Sequence, residues 1–111
     1  MPDFKRWDVI KIPHPYGARP ALHHRPALVL AAGDLQTAHG LLWIMMITTA
    51  PNFRWPGDVD ITNPAAAGLP APSVIRTAKL TTIEGQHCAR LGSLGTAERK
   101  IVAEKLLGTL G

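Results

Sequence analysis

A chain of 111 residues that is 46% hydrophobic and 18% charged has material for one core and too little charge for a solvated coil, which excludes wholesale disorder. Twelve Lys/Arg against eight Asp/Glu give a formal charge of +4, a field compatible with nucleic acid or an acidic protein partner and diagnostic of neither. The single cysteine, Cys88, cannot close an internal disulfide, and no apolar block approaches the ~20 residues of a membrane span.

The opening MPDFKRWDVIKI lacks the apolar core of a secretion signal, so the expectation is a cytoplasmic chain read as one domain over residues 1–111. Its second half, Trp7–Ile12, is a first strand, followed by a Pro/Gly-rich loop from Pro13 to His24. Pro26–Ala31 is a continuous apolar run, the pattern of a strand buried on both faces. Gly40–Thr49 is a third strand ending in two hydroxyl residues. After a loop over Ala50–Gly57, Asp58–Thr62 alternates Val59 and Ile61 with polar neighbours. NPAAAGLPAP, with three prolines, is too broken for a regular helix. Ser73–Ile83 reads as a fifth strand and HCARLGSL as a short sixth. From Thr96 the period changes. Val102, Ala103, Leu106, Leu107 and Leu110 form one face of a terminal helix, with Thr96 as the expected N-cap and Glu98 suited to the positive end of the dipole. This order predicts a small, strongly curved, mostly antiparallel sheet or barrel closed by the helix.

Most common site chemistries have no support in the spacing. No HExxH, CxxC or i, i+4 ligand pair suggests a metal, and neighbouring His23 and His24 point opposite ways on an extended chain. There is no Gly-rich strand-to-helix turn for phosphates, and neither Ser73 nor Ser93 lies in a nucleophile elbow. Cys88 beside His87 would be opposed to it in a strand, and reads as a small half-buried hydrophobe. What remains is a cationic and hydroxyl-rich set: Arg25, Thr48, Thr49 and Arg76. An arginine fork donates two parallel hydrogen bonds to phosphate, and Pro26 limits the backbone beside Arg25. Arg76 reads equally well as the polar face of a strand.

The ordered set Arg25-Pro26-Ala27-Leu28-Val29, Ile47-Thr48-Thr49, Gly68-Leu69, Ser73-Val74-Ile75-Arg76 and Lys79-Leu80-Thr81-Thr82-Ile83-Glu84, spanning Arg6 to Leu110, resembles the MazF/PemK (Kid) toxins of type II toxin–antitoxin pairs. The resemblance implies a mostly β fold, a small SH3-like barrel of five to seven strands with a C-terminal α-helix, as in the MazF/CcdB superfamily. It further implies a homodimer that cuts single-stranded RNA without metal or other cofactor, through attack of the ribose 2′-hydroxyl, and that an acidic antitoxin neutralises. Carried onto this chain, Arg25 stabilises transition-state charge, Thr48 positions the scissile phosphate, and Arg76 acts as acid or phosphate clamp. The expected RNA contacts are Tyr16, Arg19, His23, His24, Thr49, Trp55 and Lys79, with Tyr16, Phe53 and Trp55 as the available stacking platforms.

Three departures stand out. Trp7 occupies the position of a usual glycine, Ala78 replaces an acidic residue found in some members, and a loop histidine of some members has no counterpart in place, leaving His23 or His24 as substitutes. The alternative reading is a non-catalytic relative, either a gyrase-poisoning toxin or an SH3-like module that binds RNA or protein without cutting. The tail LLGTLG lacks the terminal aromatic of the gyrase-poisoning branch.

Overall fold

The computed structural model describes residues 3–13, 24–49 and 54–111, and in it every apolar run read as a strand is one. The strands are β1 (Asp8–Pro13), β2 (His24–Ala31), β3 (Leu41–Thr49), β4 (Asp58–Asp60), β5 (Ser73–Glu84) and β6 (Ala89–Ser93). They form one antiparallel sheet in the order β4-β5-β3-β2-β1-β6. A short helix, α1 (Gly33–His39), joins β2 to β3, and α2 (Thr96–Leu110) ends the chain.

Strand β2 is apolar on both sides because both sides are covered. Leu28 and Leu30 belong to one core with Val9, Met45, Ile47, Ile75 and Val102. Ala27 and Val29 belong to another with Phe4, Ile10, Ile12, Leu42, Ile44 and Cys88. Each Leu or Val removed from water in this way contributes roughly 1.5–3 kcal/mol. Helix α1, which the strand pattern did not announce, is docked through buried Gln36. Its amide accepts from the Phe4 N–H at 3.0 Å and donates to the Phe4 carbonyl at 3.1 Å, pinning the entering chain.

The sheet does not close into a hydrogen-bonded barrel: among the described residues no ladder joins β4 to β6. The last ladder bond on that side runs from Ile61 N–H to the Ser73 carbonyl, at 3.0 Å. Beyond it Pro64, Pro70 and Pro72 lack the N–H groups a strand would need. The gap is filled by packing. Ala67 and Leu69 enter the first core, and the backbone around Gly68 lies against β6. A Cβ on Gly68 would fall 2.2 Å from the Leu91 carbonyl oxygen, and one on Gly92 would fall 2.7 Å from the Ala67 backbone.

Helix α2 departs from its predicted face and cap. Val102 is buried and Leu106 packs partly against the first core, whereas Leu107 and Leu110 are 68% and 71% exposed, since the last turns run past the sheet. The N-cap is Gly95, in extended backbone, and Thr96 is already helical. Instead the buried carboxylate of Glu98 reaches back to the loop after β4, accepting the Thr62 N–H at 3.1 Å and its hydroxyl in a short hydrogen bond. The hydrogen bond from the Thr62 hydroxyl, the larger effect, and its N–H outweigh burial and hold the Glu98 carboxyl below its ordinary range.

Trp7, the residue at the usual glycine position, has φ 78, the left-handed conformation that glycine adopts most readily. Its backbone is fixed by hydrogen bonds from its own N–H to Val29 (2.8 Å) and from the Leu94 N–H to its carbonyl (2.9 Å). Its ring packs against the first core, which offsets the backbone strain.

Gly68→Ala tests the seam. With φ +79 and a backbone atom already in the Cβ position, the variant should lose at least about 2 kcal/mol in urea unfolding. Gly108→Ala, at a position of α2 where nothing lies within 4 Å of the added Cβ, should be neutral or slightly stabilising in the same measurement.

Candidate functional site

Arg25 stands near the start of β2, just ahead of the doubly covered segment. The β2–β3 register pairs Ala27 with Met46, and carried two residues further it sets Arg25 level with Thr48. Met46 in turn pairs with Arg76 on β5, and Thr48 with Val74. Directly opposed residues share a face, so Arg25, Thr48, Met46 and Arg76 lie on one side of three adjacent strands. Arg25 and Thr48 are half-buried, and Thr49 and His24 are exposed.

A cleft of about 590 Å³ opens on this side. Its apolar lining is Ile12, Met46, Ile83 and Cys88, and its polar lining includes Arg25, Lys79, Thr81, Glu84 and His87. Burial pushes the Cys88 thiol up, away from the thiolate form. The strand that brings Lys79 here is bulged. Met46 pairs with Arg76 but Met45 pairs with Leu80, so residues 77–79 have no partners on β3. Such an insertion re-aims side chains beside it. Thr77 secures it by donating its hydroxyl to the Gly57 carbonyl at 2.8 Å.

Beside the cleft, Arg76 makes a forked ion pair with Asp58 of β4, its Nε at 3.2 Å from Oδ1 and Nη2 at 3.1 Å from Oδ2. The two side chains are 14% and 2% exposed. The guanidinium carbon also lies 4.2 Å from the ring centre of Trp55, and Lys79 Nζ lies 5.7 Å from the same centre. Trp55 closes the turn by donating its N–H to Asp58 Oδ2 at 2.9 Å. Burial works to raise the Asp58 carboxyl. The Arg76 hydrogen bonds, the Trp55 N–H and the charges of Arg76 and Arg54 more than offset it, holding the group below the usual carboxylate range.

Of the residues nominated from sequence, Arg25 and Lys79 line the cleft, Thr48 lies level with Arg25, and Arg76, Trp55 and Lys79 form the adjoining cation–aromatic cluster. Tyr16, Arg19, His23 and Phe53 lie outside the described residues. The sequence reading missed Met46, Thr81, Glu84, His87 and Asp58 as neighbours of this site. Asp58 carried a faint signal, an acidic residue opening a strand otherwise alternating toward the core. Its partnership with Arg76 needs the β4–β5 register, in which the two residues are directly paired. A second hollow, of about 570 Å³ between Asp3–Arg6 and α1, contains none of the nominated groups. No helix is long and apolar enough to cross a membrane.

Fold and cleft define a small antiparallel β protein with a cationic, hydroxyl-bearing binding face. Over residues 5–110 the sequence matches the PemK-like, MazF-like toxins of type II toxin–antitoxin systems, and the chain belongs to that family. Among solved structures it is similar to MazF in a MazE–MazF complex from Deinococcus radiodurans, with 20% identity, TM-score 0.75, and coverage of 99% of this chain and 95% of that one. It is also similar to the Mycobacterium tuberculosis toxin MazF-mt6, with 23% identity, TM-score 0.65, and coverage of 78% and 86%. A mycobacterial endoribonuclease in complex with its cognate antitoxin gives 17% identity, TM-score 0.70, and coverage of 96% and 93%. These likenesses speak for the fold. A search of curated proteins gives no significant match.

Asp58→Asn should cost about 3 kcal/mol in urea unfolding at pH 7, because it strips a buried guanidinium of its counter-charge. The carboxyl is depressed in the folded state, so its contribution is complete above the ordinary carboxylate value near 4 and fades as pH falls through the folded value. The gap in stability between the wild type and Asp58→Asn should therefore narrow as the pH is lowered from about 5 to 3.

Proposed function

We propose that this toxin is a metal-independent endoribonuclease that cuts single-stranded RNA, works as a homodimer in the cytoplasm, and is held inactive by a cognate antitoxin. The observation that carries the reading is that Arg25 lines an accessible cleft and Thr48 follows on the same face of the neighbouring strand, each two residues beyond the last β2–β3 pair, Ala27 with Met46. Family membership supports the pairing with an antitoxin, and the endoribonuclease named among the similar structures supports the reaction class.

In this mechanism the 2′-hydroxyl of one ribose attacks the adjacent phosphorus, and the bond to the 5′-oxygen of the next nucleotide breaks. A 2′,3′-cyclic phosphate and a 5′-hydroxyl remain. Negative charge accumulates on the non-bridging oxygens of the phosphorane, and a preorganised donor aimed there stabilises the transition state. Arg25 has that task. Guanidinium is permanently charged and a poor proton acceptor, and its position ahead of a rigid double-faced strand fixes it. Thr48 holds the scissile phosphate through its hydroxyl. Arg76, fixed by Asp58, serves as a phosphate clamp for the neighbouring linkage rather than as a proton donor. Trp55, 40% exposed, offers a base its ring beside two cations, with Thr49, His24 and Lys79 along the backbone path.

Arg25→Ala should lower cleavage of a labelled single-stranded RNA oligonucleotide, assayed in EDTA, by 10²–10³-fold while the melting temperature stays close to the wild type. Unchanged cutting by that variant rejects the assignment of Arg25, and intact RNA after long incubation with wild-type protein freed of antitoxin rejects the nuclease reading.

A further inference from the structure

We propose that His87 is the general base of the RNA cleavage, an inference that rests on the nuclease reading above and deepens it. The cations of the cleft, Arg25 and Lys79, can donate hydrogen bonds and balance charge but cannot take a proton at neutral pH. Among the described residues, the remaining ionisable groups lining it are Glu84, Cys88 and His87. Burial keeps the thiol of Cys88 protonated, and its Sγ lies 3.7 Å from the Glu84 carbonyl oxygen. A carboxylate is a weak base beside an imidazole, whose ordinary titration range crosses neutrality, and proton transfer is most efficient when the catalyst titrates near the working pH. His87 is exposed, so an imidazolium formed there returns its proton to water.

The backbone adds an independent observation. The Cys88 N–H closes a tight turn onto the Gly85 carbonyl at 3.2 Å, and Gly85 is tied to Gly40 by a 2.9 Å hydrogen bond. His87 occupies the third position of that turn with φ 68, a conformation that glycine takes freely and that few other residues adopt, asparagine, aspartate and histidine more often than the rest. Non-glycine residues held at positive φ cluster at ligand sites, and His87 lies at the lip of the cleft. The ionisable groups that line the same cleft are Arg25 from β2 and Lys79 and Glu84 from β5, with Cys88 next in the turn. β1 and β3 contribute only Ile12, Pro13 and Met46 to the lining, none of them ionisable.

In the step itself the neutral imidazole takes the proton of the 2′-hydroxyl as that oxygen bonds to phosphorus. The bond from phosphorus to the 5′-oxygen breaks, the departing oxygen is protonated by water, and the imidazolium releases its proton to solvent.

The test is the pH dependence of kcat/KM from pH 5 to 9 on a single-stranded RNA oligonucleotide in EDTA, for wild type, His87→Asn, Glu84→Gln and His39→Asn. Asparagine tolerates the left-handed turn, so the fold should survive, and His39, exposed on α1, is a control away from the cleft. The wild type should rise with pH on its acidic limb. His87→Asn should lose that limb and fall at least about 10²-fold at pH 7.5, while binding of a 2′-deoxy oligonucleotide changes less than about threefold. The limb should persist in Glu84→Gln and His39→Asn. A wild-type limb in His87→Asn, or loss of the limb in Glu84→Gln, overturns the inference and leaves the nuclease reading standing. Wild-type protein that cuts no RNA overturns both. As a measurement independent of the variant, the His87 imidazole resonance of the wild type should move when the 2′-deoxy oligonucleotide binds, and a stationary resonance overturns the proposal.

Discussion

The burial of β2 on both faces is the constraint from which the rest of the structure follows. A strand whose alternate residues enter two different cores can neither slip by one position nor rotate, since either movement exchanges the two sets of packed side chains. That fixes the backbone leading out of Ala27 and therefore the place where Arg25 emerges. β3 is paired with β2 as far as Ala27 and Met46, and Arg25 and Thr48 each follow two residues further on the same face, so both groups emerge from the sheet rather than from a loop.

The second arginine is held differently. Arg25 is positioned by backbone alone, whereas Arg76 is positioned by an opposite charge, an aromatic ring and the bulge that follows it. Asp58 sits deep enough that its attraction for Arg76 is little screened by water. The result is a permanently organised cation beside the cleft. Arg25, near the start of β2, lines the cleft itself.

How much of this was legible in the sequence depended on the range of the interaction. Apolar periodicity marked all six strands and α2, because burial is written residue by residue. Arg25-Pro26 and Ile47-Thr48-Thr49 marked two candidate residues for the same reason, each lying at the end of an unmistakable strand. The relation of Asp58 to Arg76 was not legible, since residues 18 apart in sequence meet only through strand pairing. The mostly β fold with its terminal helix was legible, but not that the sheet stays open, where three prolines after β4 leave glycine-lined packing in place of ladder hydrogen bonds. On α2 the apolar face was read correctly as helical, but a sequence does not reveal where the sheet beneath it stops, and Leu107 and Leu110 lie beyond that edge. His87 was hidden because nothing in a local pattern distinguishes a turn residue that borders a cleft from one that borders solvent.

The three-residue excursion in β5 divides that strand into two separately anchored halves, Ser73–Arg76 and Leu80–Glu84, each zipped to its own stretch of β3. Between them the chain lacks partners on β3, and beyond Thr77, which anchors it to Gly57, its side chains can be exchanged without dragging either half out of alignment. Substitution at Ala78 or Lys79, both exposed, thus changes the surface beside the cleft while the architecture stays still.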